Sequence, residues 1–164
     1  MTEWDKRFMQ MAQLVASWSK DPSTKVGAVL VGEDRSILST GFNGLPRGVA
    51  DLQQRLEDRP TKYSMTVHAE VNCIIQAPKL KGTETLYVYP LFCCSACAGV
   101  VIQSGIRKVV FPAGAVDNER WTDSFNLASE MFKEANVTME FIDVGEVDAQ
   151  QGCPAAQTAG CGCC

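Results

Sequence analysis

The sequence predicts an α/β fold, a five-stranded mixed sheet with helices on both faces in a three-layer α-β-α arrangement. Three observations predict it. Helix-period apolar runs alternate with short β-rich runs in the order α-ββ-α-β-α-β-α-β. The first two strand candidates are separated by five residues, with Gly32-Glu33-Asp34-Arg35 turning the chain, the spacing of a hairpin, whereas helical runs separate the later ones. Apolar patterning also holds to residue 144 and then stops, so residues 1–144 read as one domain and 145–164 as a Cys/Gly/Ala-rich disordered tail.

In chain order, Trp4, Phe8, Met11, Val15 and Trp18 recur at four and three residues and predict an amphipathic helix from about Thr2 to Ser19. Lys20-Asp21-Pro22-Ser23 ends it. Val26–Val31 reads as a buried strand and Ile37–Thr40 as its hairpin partner. Gly41-Phe42-Asn43-Gly44-Leu45-Pro46-Arg47-Gly48 then breaks regular structure as a shaped loop. Asp51–Asp58 is read as a charged helical turn. In Val67–Gln76, the residues Val67, Val71, Ile74 and Ile75 recur at helical spacing, and Pro78 ends the run. Thr85–Tyr89 is β-rich, a helix starts at Ser95 and ends near Gly105, and Lys108–Phe111 is a strand. After the loop Pro112–Trp121, Ser124–Ala135 carries Phe125, Leu127, Ala128, Met131 and Phe132 as an apolar face, and Thr138–Phe141 is the last strand.

Composition bounds the function. With 46% hydrophobic and 21% charged residues, the chain is an ordinary globule whose length suits one core. No apolar run approaches the ~18 residues of a membrane span. The stretch Met1-Thr2-Glu3-Trp4-Asp5 lacks the basic-then-apolar signature of a signal peptide, so a cytoplasmic, membrane-free protein is expected. Net charge is −4 and no cluster of Lys and Arg exceeds two adjacent residues, which argues against long nucleic acid and for a small substrate. Of the eight cysteines, Cys73, Cys93, Cys94 and Cys97 accompany the motifs below, and four crowd the last twelve residues. Thiols of a cytosolic chain stay reduced.

His68-Ala69-Glu70 and Cys94-Ser95-Ala96-Cys97 carry the chemistry. His68 is the single histidine of the chain, and each motif lies at a helical run. A Cys-x-x-Cys opening a helix aims two thiolates at one point, and the histidine adds a nitrogen. Three such ligands make a zinc site with an open fourth position, the catalytic arrangement. Glu70 need not be a ligand and is free to reach water in the open position. Alone, the cysteine pair also fits a thioredoxin-like redox site and the histidine a core residue. A redox pair, however, has no use for a histidine and an acid on a separate helix.

H-x-E…P-C-x-x-C is the signature of zinc nucleobase deaminases, and the chain resembles the zinc-dependent cytidine/deoxycytidylate deaminase superfamily, above all its deoxycytidylate (dCMP) deaminases. The resemblance runs from about Phe8 to Phe141. It includes Asp21-Pro22-Ser23-Thr24-Lys25-Val26-Gly27-Ala28, the Gly41–Pro46 loop, His68-Ala69-Glu70-Val71-Asn72, Cys94-Ser95-Ala96-Cys97, and Gly105-Ile106 before the Val109-Val110-Phe111 strand. It implies the cytidine-deaminase-like fold and one Zn²⁺ per chain on His68, Cys94 and Cys97, with Glu70 as the catalytic proton shuttle. Lys25, Asn43, Ala69 and Trp121 are its candidate substrate contacts. Asn43 resembles the asparagine that meets the sugar, and Lys25 stands where a basic residue reaches a 5′-phosphate. Asn43 beside Gly44 also fits plain turn chemistry, and Lys25 a solvated loop charge.

Further implications are a homo-oligomer, dimer or hexamer, and an effector loop (Gly41, Asn43, Gly44, Pro46) for a nucleoside triphosphate with Mg²⁺. The chain departs from the pattern twice. Cys93 stands where the family has proline, and the Pro112–Trp121 loop lacks the family tyrosine, carrying Arg120 and Trp121 instead. The expected reaction is hydrolysis of a cytosine nucleotide, dCMP or a base-modified dCMP, to the uracil nucleotide and ammonia. The alternatives are a tRNA or nucleic-acid deaminase and a catalytically silent zinc-binding regulatory protein.

Overall fold

Thr2 caps the first helix. Its hydroxyl accepts from the Asp5 amide at 3.2 Å, and the Asp5 carboxylate accepts from the Thr2 N–H at 2.6 Å, which satisfies two otherwise free donors reciprocally. The computed structural model describes residues 2–117 and 119–144; the stretch read as a tail lies outside the described residues. Helix α1 (Glu3–Ser17) buries Phe8, Met9, Ala12, Val15 and Ala16. The stripe expected from sequence ran through both tryptophans, but Trp4 and Trp18 are exposed at the margins of the face. Trp4 stacks on Phe8 and Trp18 meets the Phe42 ring edge-on.

Strands β1 (Gly27–Val31) and β2 (Ile37–Phe42) form the expected antiparallel hairpin, with a register shift at Leu30/Val31. Strands β3 (Thr85–Tyr89), β4 (Lys108–Pro112) and β5 (Thr138–Ile142) complete the sheet in the order β2-β1-β3-β4-β5. β1 is antiparallel to β2 and β3, whereas β3–β4 and β4–β5 are parallel, so the sheet is mixed as expected. β1, an interior strand, is buried throughout, and its alternate residues serve different cores. Ala28 and Leu30 join the cluster formed with α4 (Ala69–Gln76), α5 (Ser95–Gln103) and α6 (Thr122–Glu134). Val29 and Val31 join the cluster under α1. One helix therefore covers one face of the sheet and three cover the other, which yields the three layers.

The structure corrects the sequence reading in three places. Gly41 and Phe42 belong to β2, not to the following loop. A Cβ on Gly41 would collide with the Cys73 amide and the Ala69 carbonyl, so glycine here serves the close approach of β2 to α4. Secondly, the charged turn is α2 (Gln53–Glu57), and a further helix, α3 (Arg59–Met65), follows it. α3 has little apolar periodicity. Its readable signal was a start signal: Asp58 accepts from the Thr61 amide at 3.0 Å, and Pro60 lies in the first turn. Thirdly, the helix after His68 begins at Ala69, which leaves His68 at the N-cap. Among the described residues, no helix is long and apolar enough to cross a membrane.

Candidate metal centre and catalytic site

His68 and Cys94 occupy equivalent positions, as N-caps of α4 and α5, and neither uses its side chain as the cap. Both are extended, with φ/ψ of −71°/157° and −72°/164°, so each side chain is aimed across the gap between the two helix starts. His68 is held from the other side too. Val67 exchanges backbone hydrogen bonds with Gly44 at 2.9 and 3.1 Å, tying the residue before the histidine to the loop after β2. α5 is anchored from α6, where the Ser124 hydroxyl accepts from the Ser95 N–H at 3.0 Å. That bond satisfies one of the free amides at the start of α5.

The three expected ligands converge. His68 Nδ1 lies 3.2 Å from Cys97 Sγ and 3.5 Å from Cys94 Sγ, and the donor atoms of all three lie within 4.8 Å of one another. Tetrahedral zinc with ordinary Zn–N and Zn–S bonds places N and S about 3.6 Å apart, so this N/S/S group fits the ion. Neither Glu70 nor Cys93 belongs to the group, which offers three donor atoms, one nitrogen and two sulfurs.

Charge at the group is polarised. The hydrogen bond from Cys97, opposed by burial and aided by His68, lowers the Cys94 thiol to about 4. The same bond, with burial, pushes Cys97 well up. Cys94 is thus the more acidic thiol of the pair, and a metal ion taken up here would displace the remaining thiol proton. Cys94 raises the pKa of His68 against burial, with Glu70 adding to the rise.

Glu70 is 4% exposed, in the first turn of α4. Burial raises its pKa, and the nearby His68 works against the rise. A carboxyl whose protonation is eased in this way suits a group that both takes and returns a proton. Cys93 is fully buried beside it. Burial, then the Glu70 charge, holds Cys93 well above the ordinary thiol range, and its S–H donates to Glu70. Cys93 is therefore a neutral donor to the acid, a contact that adjacency to Cys94 in sequence did not reveal.

The remaining candidates sit as follows. Ala69 is fully buried at the start of α4. Asn43 is buried, and its side chain accepts from the Val26 N–H at 2.8 Å and donates to the Thr24 carbonyl at 2.9 Å. The hairpin thus brings the chain around Lys25 beside Asn43. Lys25 itself is exposed, and its amine reaches back to the Ser17 carbonyl at 3.4 Å. Gly44 pairs with Val67, and Pro46 is exposed. Trp121 is half-buried against the core cluster that holds Cys97, with its ring 5.8 Å from Tyr63. Sequence reading missed Lys62 and Tyr63, because α3 itself was missed.

Residues 2–113 match the family model for the cytidine and deoxycytidylate deaminase zinc-binding region. The chain belongs to this family. Relatives agree over most of their length. An uncharacterized deaminase in the luxG 3′ region of Aliivibrio fischeri is 43% identical over 144 residues, covering 87% of this chain and 95% of that protein. Human deoxycytidylate deaminase is 37% identical over 143 residues, covering 83% of this chain and 78% of that protein. Among solved structures, the dCMP deaminase of cyanophage S-TIM5 in complex with dCMP and dUMP superposes with a TM-score of 0.68 at 24% identity, covering 87% and 98%. At that identity the likeness establishes the cytidine-deaminase-like fold. As a family member the chain is a hydrolytic deaminase.

Proposed function

We propose that the chain deaminates dCMP, or a base-modified dCMP, to the uracil nucleotide and ammonia, with one zinc ion held by His68, Cys94 and Cys97. The observation that carries the reading is the position of Glu70, a buried carboxyl beside a three-ligand N/S/S group and not part of it. A zinc ion supplies Lewis acidity there, lowering the pKa of water to about 7. Glu70 accepts a proton from the water that adds to C4 of the cytosine. It passes that proton to N3, takes the second proton from the C4 hydroxyl of the adduct and hands it to the amine, so that the C4–N4 bond breaks as the C4 carbonyl forms and ammonia leaves. Positioned proton transfer of this kind is worth roughly 10²–10⁴-fold.

Asn43 is assigned to the sugar, Lys25 to the 5′-phosphate, and Ala69 and Trp121 to the base end. The hydrogen bonds that tie Asn43 to Thr24 and Val26 support the grouping of the first two. The relatives named deoxycytidylate deaminase support the choice of nucleotide. Gly41, Asn43, Gly44 and Pro46 are assigned to an effector loop for a nucleoside triphosphate with Mg²⁺, in a homo-oligomer, dimer or hexamer. The Gly44–Val67 pairing, one residue from His68, supports a link from this loop to the metal centre.

The test is ammonia release from a panel of cytosine nucleosides, nucleotides and oligonucleotides, before and after zinc chelation. Preferential, chelator-sensitive turnover of dCMP is expected. Preference for an oligonucleotide would replace the reading with a nucleic-acid deaminase.

A further inference from the structure

Arg120 is held between two aromatic rings. Its guanidinium carbon lies 5.2 Å from the centroid of Tyr63 and 5.7 Å from that of Trp121, and the rings meet at 69°. Each ring belongs to an arm of the chain that supplies a metal ligand. Tyr63 is in α3, which leads through Val67 to His68. Trp121 is the N-cap of α6, one turn before Ser124, which is bonded to the amide next to Cys94. The Tyr63–Trp121 contact therefore closes α3 onto the start of α6 beside the metal centre.

α3 carries two further cations, Arg59 exposed at its start and Lys62 buried. Lys62 Nζ, 5.9 Å from the same Tyr63 ring, is committed to Asp21 and Ser23 at 2.9 Å each. Arg120 is exposed, and among the described side chains no carboxylate pairs with it. A guanidinium stacked on aromatic faces keeps its N–H edges for an anion, and its planar fork matches phosphate oxygens two at a time. On a chain of net charge −4, a dianionic substrate needs such a local cation.

We propose that Arg120 binds the 5′-phosphate of the substrate, with Tyr63 as the positioning residue that holds it, so that this pair distinguishes nucleotide from nucleoside. The proposal rests on the deaminase reading above and deepens it, placing a second cation at the phosphate besides Lys25.

The test is binding of product, measured by titration calorimetry on the zinc-loaded full chain, with dUMP and deoxyuridine compared. Arg120→Gln is expected to weaken dUMP roughly 10- to 100-fold and leave deoxyuridine within about twofold. Tyr63→Leu should give a smaller loss of the same selective kind, and Tyr63→Phe, which keeps the ring, should restore it. Equal losses on both ligands, no loss on either, or selectivity lost in Lys25→Ala but kept in Arg120→Gln would overturn the assignment. Because heat and not turnover is read, a chain that binds dUMP through Arg120 yet releases no ammonia from dCMP would sink only the deaminase reading.

Discussion

Lys62 Nζ lies 2.9 Å from Asp21 Oδ1, with side chains 3% and 10% exposed, and the pair fastens α3 to the turn that leads into β1. The same Asp21 oxygen accepts from the Ser23 and Thr24 amides at 2.7 and 3.1 Å. Thr24 in turn is held by Asn43. One buried ion pair therefore sets the position of the loop proposed to meet sugar and phosphate. Lys62→Met leaves a buried carboxylate without its cation and should cost about 3–5 kcal/mol. Adding Asp21→Asn should recover part of that loss in urea denaturation. A single variant as stable as the parent would remove the pair from this role.

Acid should destabilise the fold through Asp21 and Asp5. Burial alone would raise both carboxyls. Lys62 and the Ser23 and Thr24 amides outweigh it at Asp21, and the Thr2 amide and the Tyr87 hydroxyl outweigh it at Asp5, so both sit below the ordinary range. A lowered folded pKa means that the unfolded chain binds more protons as pH falls. The stabilisation is then complete above the unfolded carboxylate value of about 3.9 and is lost as pH falls through the folded values. The urea midpoint should drop below about pH 4, and Asp21→Asn should flatten that drop. A midpoint that rises on acidification would contradict this account.

Glu70→Ala should keep about one zinc per chain and lose roughly 10²–10⁴-fold in turnover, because Glu70 lies outside the ligand group. Metal analysis beside steady-state kinetics separates the two properties. Zinc lost together with Glu70 would make it a ligand.

Cys93→Ala should also keep the metal. Its thiol is held protonated by burial and by Glu70, and it donates to that carboxyl without joining the ligand group. A thiol is a weak donor, so removing it should change kcat by less than about tenfold. Zinc content halved or lost in this variant alone would show a third thiolate at the site.

The grouping of His68, Cys94 and Cys97 was legible from sequence because it depends on residue type and short spacing. A Cys-x-x-Cys at the start of a helix points both sulfurs one way whatever surrounds it. The sheet was legible for a related reason: β1, β3 and β4 are continuous apolar runs with helices or a turn between them, and that order leaves few topologies. α3 was not, since a short helix carrying Lys62 inward and Tyr63 outward has no periodic apolar face to detect.

The sequence by itself therefore determined the family and the motifs that bring His68, Cys94 and Cys97 together, which are local properties of the chain. Tertiary structure alone decided that Lys62 is buried on Asp21, that Cys93 turns to Glu70, and that Arg120 lies between Tyr63 and Trp121. Each of these relations joins segments that are distant along the chain. Burial and approach distance, which fix a side chain's charge and partner, exist only once the helices have packed onto the sheet.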